Sequence, residues 1–196
     1  MKKLPIEKRC VEFRSENLYE NEGQMIVEGY GAVFDSPTVI CDYDGIEYKE
    51  VIDRHALDAA DFSKCCLKYN HEDNVPILAR TRNGSLVTEI DNYGLKFRAK
   101  LFNTSAARDV YAIVKEGGLD KCSFAFTVKR AEYDQQTHTR KILEIDKVFD
   151  ISIVDIPAYD DTNVVARSFF EMEIEKEKEL ESDADKRKRI LLLAKI

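Results

Sequence analysis

The sequence predicts a mainly β protein with helices, an α+β chain built on a closed or nearly closed antiparallel β structure. Three observations predict it. Short segments rich in β-branched and aromatic residues follow one another up to Leu101, with turn signals between them. One internal segment, Thr104 to Gly118, carries a helical period instead. After Arg167 the composition becomes charged and helix-prone.

The elements follow in order. Met25 to Phe34 reads MIVEGYGAVF, a strand whose glycines suggest a bulge or bend. Glu47 to Ile52 is a second short strand, and His55 to Phe62, HALDAADF, reads as a short helix. Lys64 to Asn70 alternates again and delivers the chain to His71. Pro76 to Arg82, Ser85 to Ile90 and Tyr93 to Leu101 read as three further strands. Asn83-Gly84 separates the first two and predicts a hairpin, because both residues reach positive φ at little cost. Asp91-Asn92-Tyr93-Gly94 separates the next two.

Thr104 is placed to cap a helix that Gly117-Gly118 ends. Ala107, Val110, Tyr111 and Val114 fall on one face of it and predict packing on the β structure. Two long strands come next, Asp120 to Tyr133 with Ser123 and Thr139 to Ile156 with Asp150, joined by the polar turn Asp134-Gln135-Gln136-Thr137. Beyond Arg167 the chain reads EMEIEKEKELESDADKRKRILLLAKI after Ser168-Phe169-Phe170. A domain boundary is expected there, giving a domain over residues 1–167 and a charged helical tail over 168–196. Glu171–Glu175 and Glu173–Glu177 are repulsive at i,i+4, so this tail is expected outside the core, with a partner to steady it.

The chain has 196 residues, 44% of them apolar, with 10 Phe and 9 Tyr to fill a core in the absence of Trp. A formal charge of −7 argues against a nucleic-acid-binding footprint. Charged residues follow the N-terminal MKKLP with no apolar run, so no secretory signal is expected, and no stretch approaches the ~20 apolar residues that span a bilayer. Five cysteines, two of them adjacent at Cys65 and Cys66, do not form a disulfide framework; a reducing compartment and free thiols are expected. Cys41, Cys65, Cys66 and His71 lack the paired spacing of a zinc site, so no metal and no cofactor is expected.

Period-2 alternation places Cys122, Phe124, Phe126 and Val128 on a core face and Ser123, Ala125, Thr127 and Lys129 on an open one. Phe149, Ile151 and Ile153 alternate in the same way with Asp150 and Ser152. Asp is depleted in strands, so Asp150 between two large apolar residues calls for a reason, which a solvated sheet face also supplies. His71 ends a strand and there supplies an imidazole, the side-chain type suited to proton transfer, although Asn70-His71-Glu72-Asp73 reads equally as a polar turn. His55 heads the expected helix and His138 lies beside a turn, which makes both poorer candidates. Acyl transfer needs a nucleophile, a base and a group that orients the base. Ser123, His71 and Asp150 are of the right types for those roles, but no G-x-S-x-G elbow marks them.

The order of the segments adds to this. Val27-Glu28-Gly29-Tyr30-Gly31-Ala32-Val33-Phe34, Glu50-Val51-Ile52 before His55-Ala56-Leu57, and Asn70-His71 before Leu78-Ala79-Arg80-Thr81 come first. Gly94-Leu95-Lys96-Phe97, Ser123-Phe124-Ala125-Phe126 and Asp150-Ile151-Ser152-Ile153-Val154 before Pro157-Ala158-Tyr159 follow. Over residues 10–167 the chain resembles the caudovirus prohead serine proteases, a family similar to the herpesvirus assemblins. The resemblance implies an antiparallel β-barrel wrapped by helices, His71 as base and Ser123 as nucleophile. For the third member the family often has Glu where this chain has Asp150, and Glu144 and Asp146 on the same strand face stay open as alternatives. It implies oxyanion donors around Ala158-Tyr159. The implied substrates are the major capsid precursor, the scaffold and the protease itself. The place of action is the assembling prohead in the host cytoplasm, with self-association and without nucleic acid, membrane or cofactor. Two other readings compete: a non-enzymatic capsid scaffold or assembly module, suggested by the helical tail, and a β-barrel binding protein.

Overall fold

A computed structural model describes residues 4–12, 19–21, 24–155 and 164–193 of the chain. The described strands are β1 (Ile6–Glu12), β2 (Tyr19–Asn21), β3 (Gln24–Val33), β4 (Thr38–Tyr43), β5 (Ile46–Ile52), β6 (Cys66–Tyr69), β7 (Ala79–Arg80), β8 (Leu86–Ile90), β9 (Gly94–Lys100), β10 (Lys121–Asp134) and β11 (Thr139–Val154). The helices are α1 (Ser105–Lys115) and α2 (Val164–Leu193), and neither is long and apolar enough to cross a membrane.

The strands make two sheets rather than one closed barrel. One has seven strands, with the path β1-β10-β11-β5-β4 and with β6 joining β11 to β7; the other has four, in the order β2-β3-β9-β8. Among the described residues no ladder joins the two sheets. Single backbone bonds cross the seam instead, where the Asp35 N–H donates to the Ile52 carbonyl and the Phe102 N–H to the Leu78 carbonyl, each at 2.9 Å. The expected closed antiparallel barrel is therefore corrected to an α+β architecture of two open sheets, and its pairing is not purely antiparallel. β11 runs antiparallel to β10 along one edge. Its other edge carries β5 and β6 end to end, both parallel to it.

That shared edge explains a second difference. His55 to Phe62 forms successive turns, not a helix. The segment bridges β5 and β6 along β11, and the sheet takes its hydrogen-bonding groups. Ile145 N–H donates to the Ala56 carbonyl at 2.8 Å, and Asp61 N–H to the Asp146 carbonyl at 2.9 Å. A helix would need those groups for its own ladder. The Asn83-Gly84 expectation also changes. Gly84 does adopt φ +73°, but it closes a 3₁₀ turn over Thr81–Asn83. β7 pairs only with β6 and β8 only with β9, so this turn passes the chain between sheets instead of closing a hairpin. β8 and β9 of the second sheet form a hairpin at the Asp91 turn, where the carboxylate accepts the N–H groups of Tyr93 and Gly94. Gly94 is required there, since a Cβ would lie 2.0 Å from the Ala32 carbonyl oxygen.

The core lies between the sheets. Val27, Ala32, Leu95, Phe97 and Ala99 from the smaller sheet pack with Leu67, Phe124, Phe126, Ile151 and Ile153 from the larger. Helix α1 closes one side as expected, with Ala107, Val110, Tyr111 and Val114 buried. Thr104 caps it by accepting the Ala107 N–H, and Gly117 at φ +75° ends it. A second apolar cluster lies outside this core. Helix α2 begins before the expected boundary at Arg167, and Ala166, Phe170 and Ile174 pack with Ile40 and Tyr48 of β4 and β5. Four buried charges lie nearby. Arg9 and Arg140 each bond to both Glu7 and Glu50, and Arg140 stacks on Phe169 at 4.8 Å. Two cations matched by two anions, with shared hydrogen bonds, are how such charges survive burial.

Candidate active site

The site forms on the larger sheet, where β6, β10 and β11 meet. Antiparallel register sets Ser123 of β10 opposite Ser152 of β11, and Asp150 lies one pleat away on the same face. On the other side of β11, parallel β6 pairs Cys66 with Asp150 and Tyr69 with Ile153. The chain leaves β6 through two consecutive left-handed residues, Asn70 at φ +51° and His71 at φ +56°. Asn and His are among the residues that tolerate this region best, at a cost of about 1–3 kcal/mol each. Hydrogen bonds hold the bend: Asn70 N–H donates to the Ile153 carbonyl at 3.0 Å, and the Asn70 side-chain oxygen accepts the Asp155 N–H at 3.1 Å. The bend folds the His71 ring back over β10 and β11.

Three residues expected from the sequence come together there. His71 Nε2 lies 2.7 Å from Ser123 Oγ, and His71 Nδ1 lies 2.5 Å from Asp150 Oδ1. This arrangement fits the neutral imidazole that donates Nδ1–H to the carboxylate and accepts the hydroxyl proton at Nε2. The alternatives lie elsewhere on β11. Glu144 bonds Lys129 and Arg130 at the surface, whose contacts hold its carboxyl below the ordinary value. Asp146 is exposed. His55 pairs with Asp58 at 3.0 Å and His138 lies 3.6 Å from Glu177, so neither reaches Ser123.

The face that carries Ser123, expected to be open, is buried. Ser123 has 0% exposure, and Ala125 and Thr127 are also buried. β10 lies between β1 and β11, and the His71 ring closes on Ser123. In such surroundings hydrogen bonds to an ionised carboxylate are stronger than in water.

Cysteines surround the site without competing for the base. Burial, with the neighbouring Cys66 and then the Asp150 carboxylate behind it, pushes the Cys65 thiol up to about 12. Burial first and Asp150 second raise Cys66, and burial holds Cys122 well above its ordinary value. All three are therefore thiols at neutral pH, and it is the Ser123 hydroxyl that meets the imidazole of His71. Cys41, Cys65, Cys66 and Cys122 are free thiols.

Ser152 was read from the sequence only as sharing a face with Asp150. In the structure its Oγ lies 2.8 Å from Asp150 Oδ1, 3.1 Å from His71 Nδ1 and 3.2 Å from the His71 backbone nitrogen. The alternation of β11 carried the signal of a shared face, but no sequence pattern encodes the contact. The oxyanion donors expected around Ala158-Tyr159 lie outside the described residues.

Comparison with known proteins finds a family and a similar fold. A family model described as caudovirus prohead serine protease matches residues 10–177. Among solved structures, the fold is similar to that of the bacteriophage T4 capsid assembly protease, with a TM-score of 0.51 and 14% sequence identity over 79% of this chain and 98% of that one. No curated protein sequence matches.

Proposed function

The chain belongs to the caudovirus prohead serine protease family, and on that premise we propose that it is a serine endopeptidase with Ser123 as nucleophile, His71 as base and Asp150 as the acid that orients the base. One observation carries the reading: the 2.7 Å contact between Ser123 Oγ and His71 Nε2, with Asp150 on the far side of the ring. His71 Nε2 takes the hydroxyl proton as Oγ attacks the scissile carbonyl. The tetrahedral intermediate collapses to an acyl-enzyme as the imidazolium returns that proton to the leaving amine. Water, deprotonated by the same nitrogen, then releases the acid and restores Ser123. Asp150 stays ionised and stabilises the imidazolium formed in both halves.

The substrates proposed are the major capsid precursor, the scaffold and the chain itself, cleaved inside the assembling prohead in the host cytoplasm. The test is incubation of the chain with its own capsid precursor, wild type against Ser123→Ala. Cleavage by the wild type and none by the variant is expected. Equal processing by both would remove Ser123 from the chemistry, and no processing by the wild type would favour an assembly module.

A further inference from the structure

Ser152 takes no part in the acyl transfer, yet its hydroxyl touches both groups that prepare the base. It has 0% exposure, so bulk solvent does not reach it. We propose that Ser152 is a positioning residue, which fixes the proton of His71 on Nδ1 and thereby keeps Nε2 free to accept the proton of Ser123. The inference rests on the roles assigned to Ser123 and His71 above.

A serine hydroxyl has one proton to donate and two lone pairs. Asp150 Oδ1, 2.8 Å away, is an ionised acceptor and outcompetes a neutral ring nitrogen for that proton. One lone pair takes the His71 backbone N–H at 3.2 Å. The other then faces His71 Nδ1 at 3.1 Å, beside the carboxylate oxygen at 2.5 Å. Both neighbours of Nδ1 are thus acceptors. An imidazole with its proton on Nε2 would bring three lone-pair atoms together in a buried place and would meet the Ser123 hydroxyl with a donor. Without the Ser152 hydroxyl that penalty is smaller and the ring has less reason to choose.

The backbone bond serves the same end. His71 sits at φ +56°, after a residue already at φ +51°. The Ser152 oxygen receives the N–H of that bend and ties the ring's own backbone to the strand that carries Asp150.

The test uses the full chain labelled with 15N-histidine at about pH 8, above the ordinary histidine range. The His71 signals are assigned by their loss in His71→Ala. In the wild type the shifts should report a proton on Nδ1 and a bare, hydrogen-bonded Nε2. In Ser152→Ala they should move towards a mixture of the two tautomers. In parallel, kcat on a capsid-precursor peptide should fall roughly ten- to a hundredfold, the scale of one hydrogen bond to a charged group, with KM unchanged. Ser152→Thr, which keeps the hydroxyl, should recover both. Wild-type shifts together with wild-type kcat in Ser152→Ala would overturn the proposal, as would loss of KM in place of kcat. The ring signals need no cleavage. A chain that cuts nothing but still holds the Nδ1 proton through Ser152 would therefore count against the protease reading and not against this one.

Discussion

Asp150 Oδ1 and His71 Nδ1 lie 2.5 Å apart although 79 positions of sequence separate them. Asp150→Asn keeps the shape but presents an amide that is free to donate, which favours the wrong tautomer of the ring. The loss in kcat should approach the roughly 10⁴-fold that this change causes in a serine triad, with residual turnover remaining. Glu144→Gln should stay near the wild-type rate, because Glu144 serves Lys129 and Arg130 at the surface. A silent Asp150→Asn beside an inactive Glu144→Gln would transfer the role of the acid.

In the proposed mechanism Ser123 and His71 act as one proton-transfer unit, so their losses should not add. His71→Ala and Ser123→Ala should each remove nearly all cleavage, and the double variant should be no slower than either. Single-turnover assays on the same peptide check this. A His71→Ala chain near the wild-type rate would name another base.

The buried charges of β1, β5 and β11 predict a stability effect remote from the site. Arg140→Met leaves Glu7 and Glu50 sharing Arg9 alone and should cost about 3–5 kcal/mol in urea unfolding. Acid should act on the same network. Burial pushes the Glu7 carboxyl up, but the hydrogen bonds and charges of Arg140 and Arg9 outweigh it and hold the carboxyl below its ordinary 4.5. The unfolded chain therefore takes up this proton first as pH falls. Stability contributed by Glu7 is present above about pH 4.5 and is lost as pH drops further, and Glu7→Gln should flatten that slope.

Helix α2 predicts different results for two truncations. Stopping after Arg167 removes Phe170, which has 0% exposure against Tyr48 and Ile40. That change should destabilise the chain, as should Phe170→Ala by about 3–5 kcal/mol. Stopping after Leu180, itself 62% exposed, should leave the unfolding midpoint near that of the full chain. Equal midpoints for the full chain and the cut after Arg167 would make the whole helix an appendage.

The local patterns were the most legible part of this sequence. The period of Ala107, Val110, Tyr111 and Val114, with Thr104 before and Gly117 after, specifies α1 because every signal lies within one segment. The misreadings involve groups supplied from afar. HALDAADF has helical composition, but β11 takes the carbonyl of Ala56 and the N–H of Asp61. Asn83-Gly84 encodes a positive φ and not which strands the turn connects. Alternation around Ser123 finds two faces but cannot tell that both are covered in a central strand. His71 and Ser123 could be paired only through the order of the segments, since a ring folded back by two left-handed residues leaves no periodic trace. After Arg167 charged residues outnumber apolar ones, and Phe170 and Ile174 are the positions that pack with Ile40 of β4 and Tyr48 of β5.

The parallel pairing of β6 with β11 also sets when the site appears in the life of the chain. His71 reaches Ser123 and Asp150 only after contacts spanning 52 and 79 positions have closed, and parallel strands are among the slowest contacts to make. Synthesis runs from the N-terminus, so His71 emerges long before the strand that must seat it. A growing chain therefore has no assembled cluster of His71, Ser123 and Asp150, and neither does a released chain in which β11 is undocked. For the protease proposed above, cleavage is therefore expected only after β6 has docked on β11.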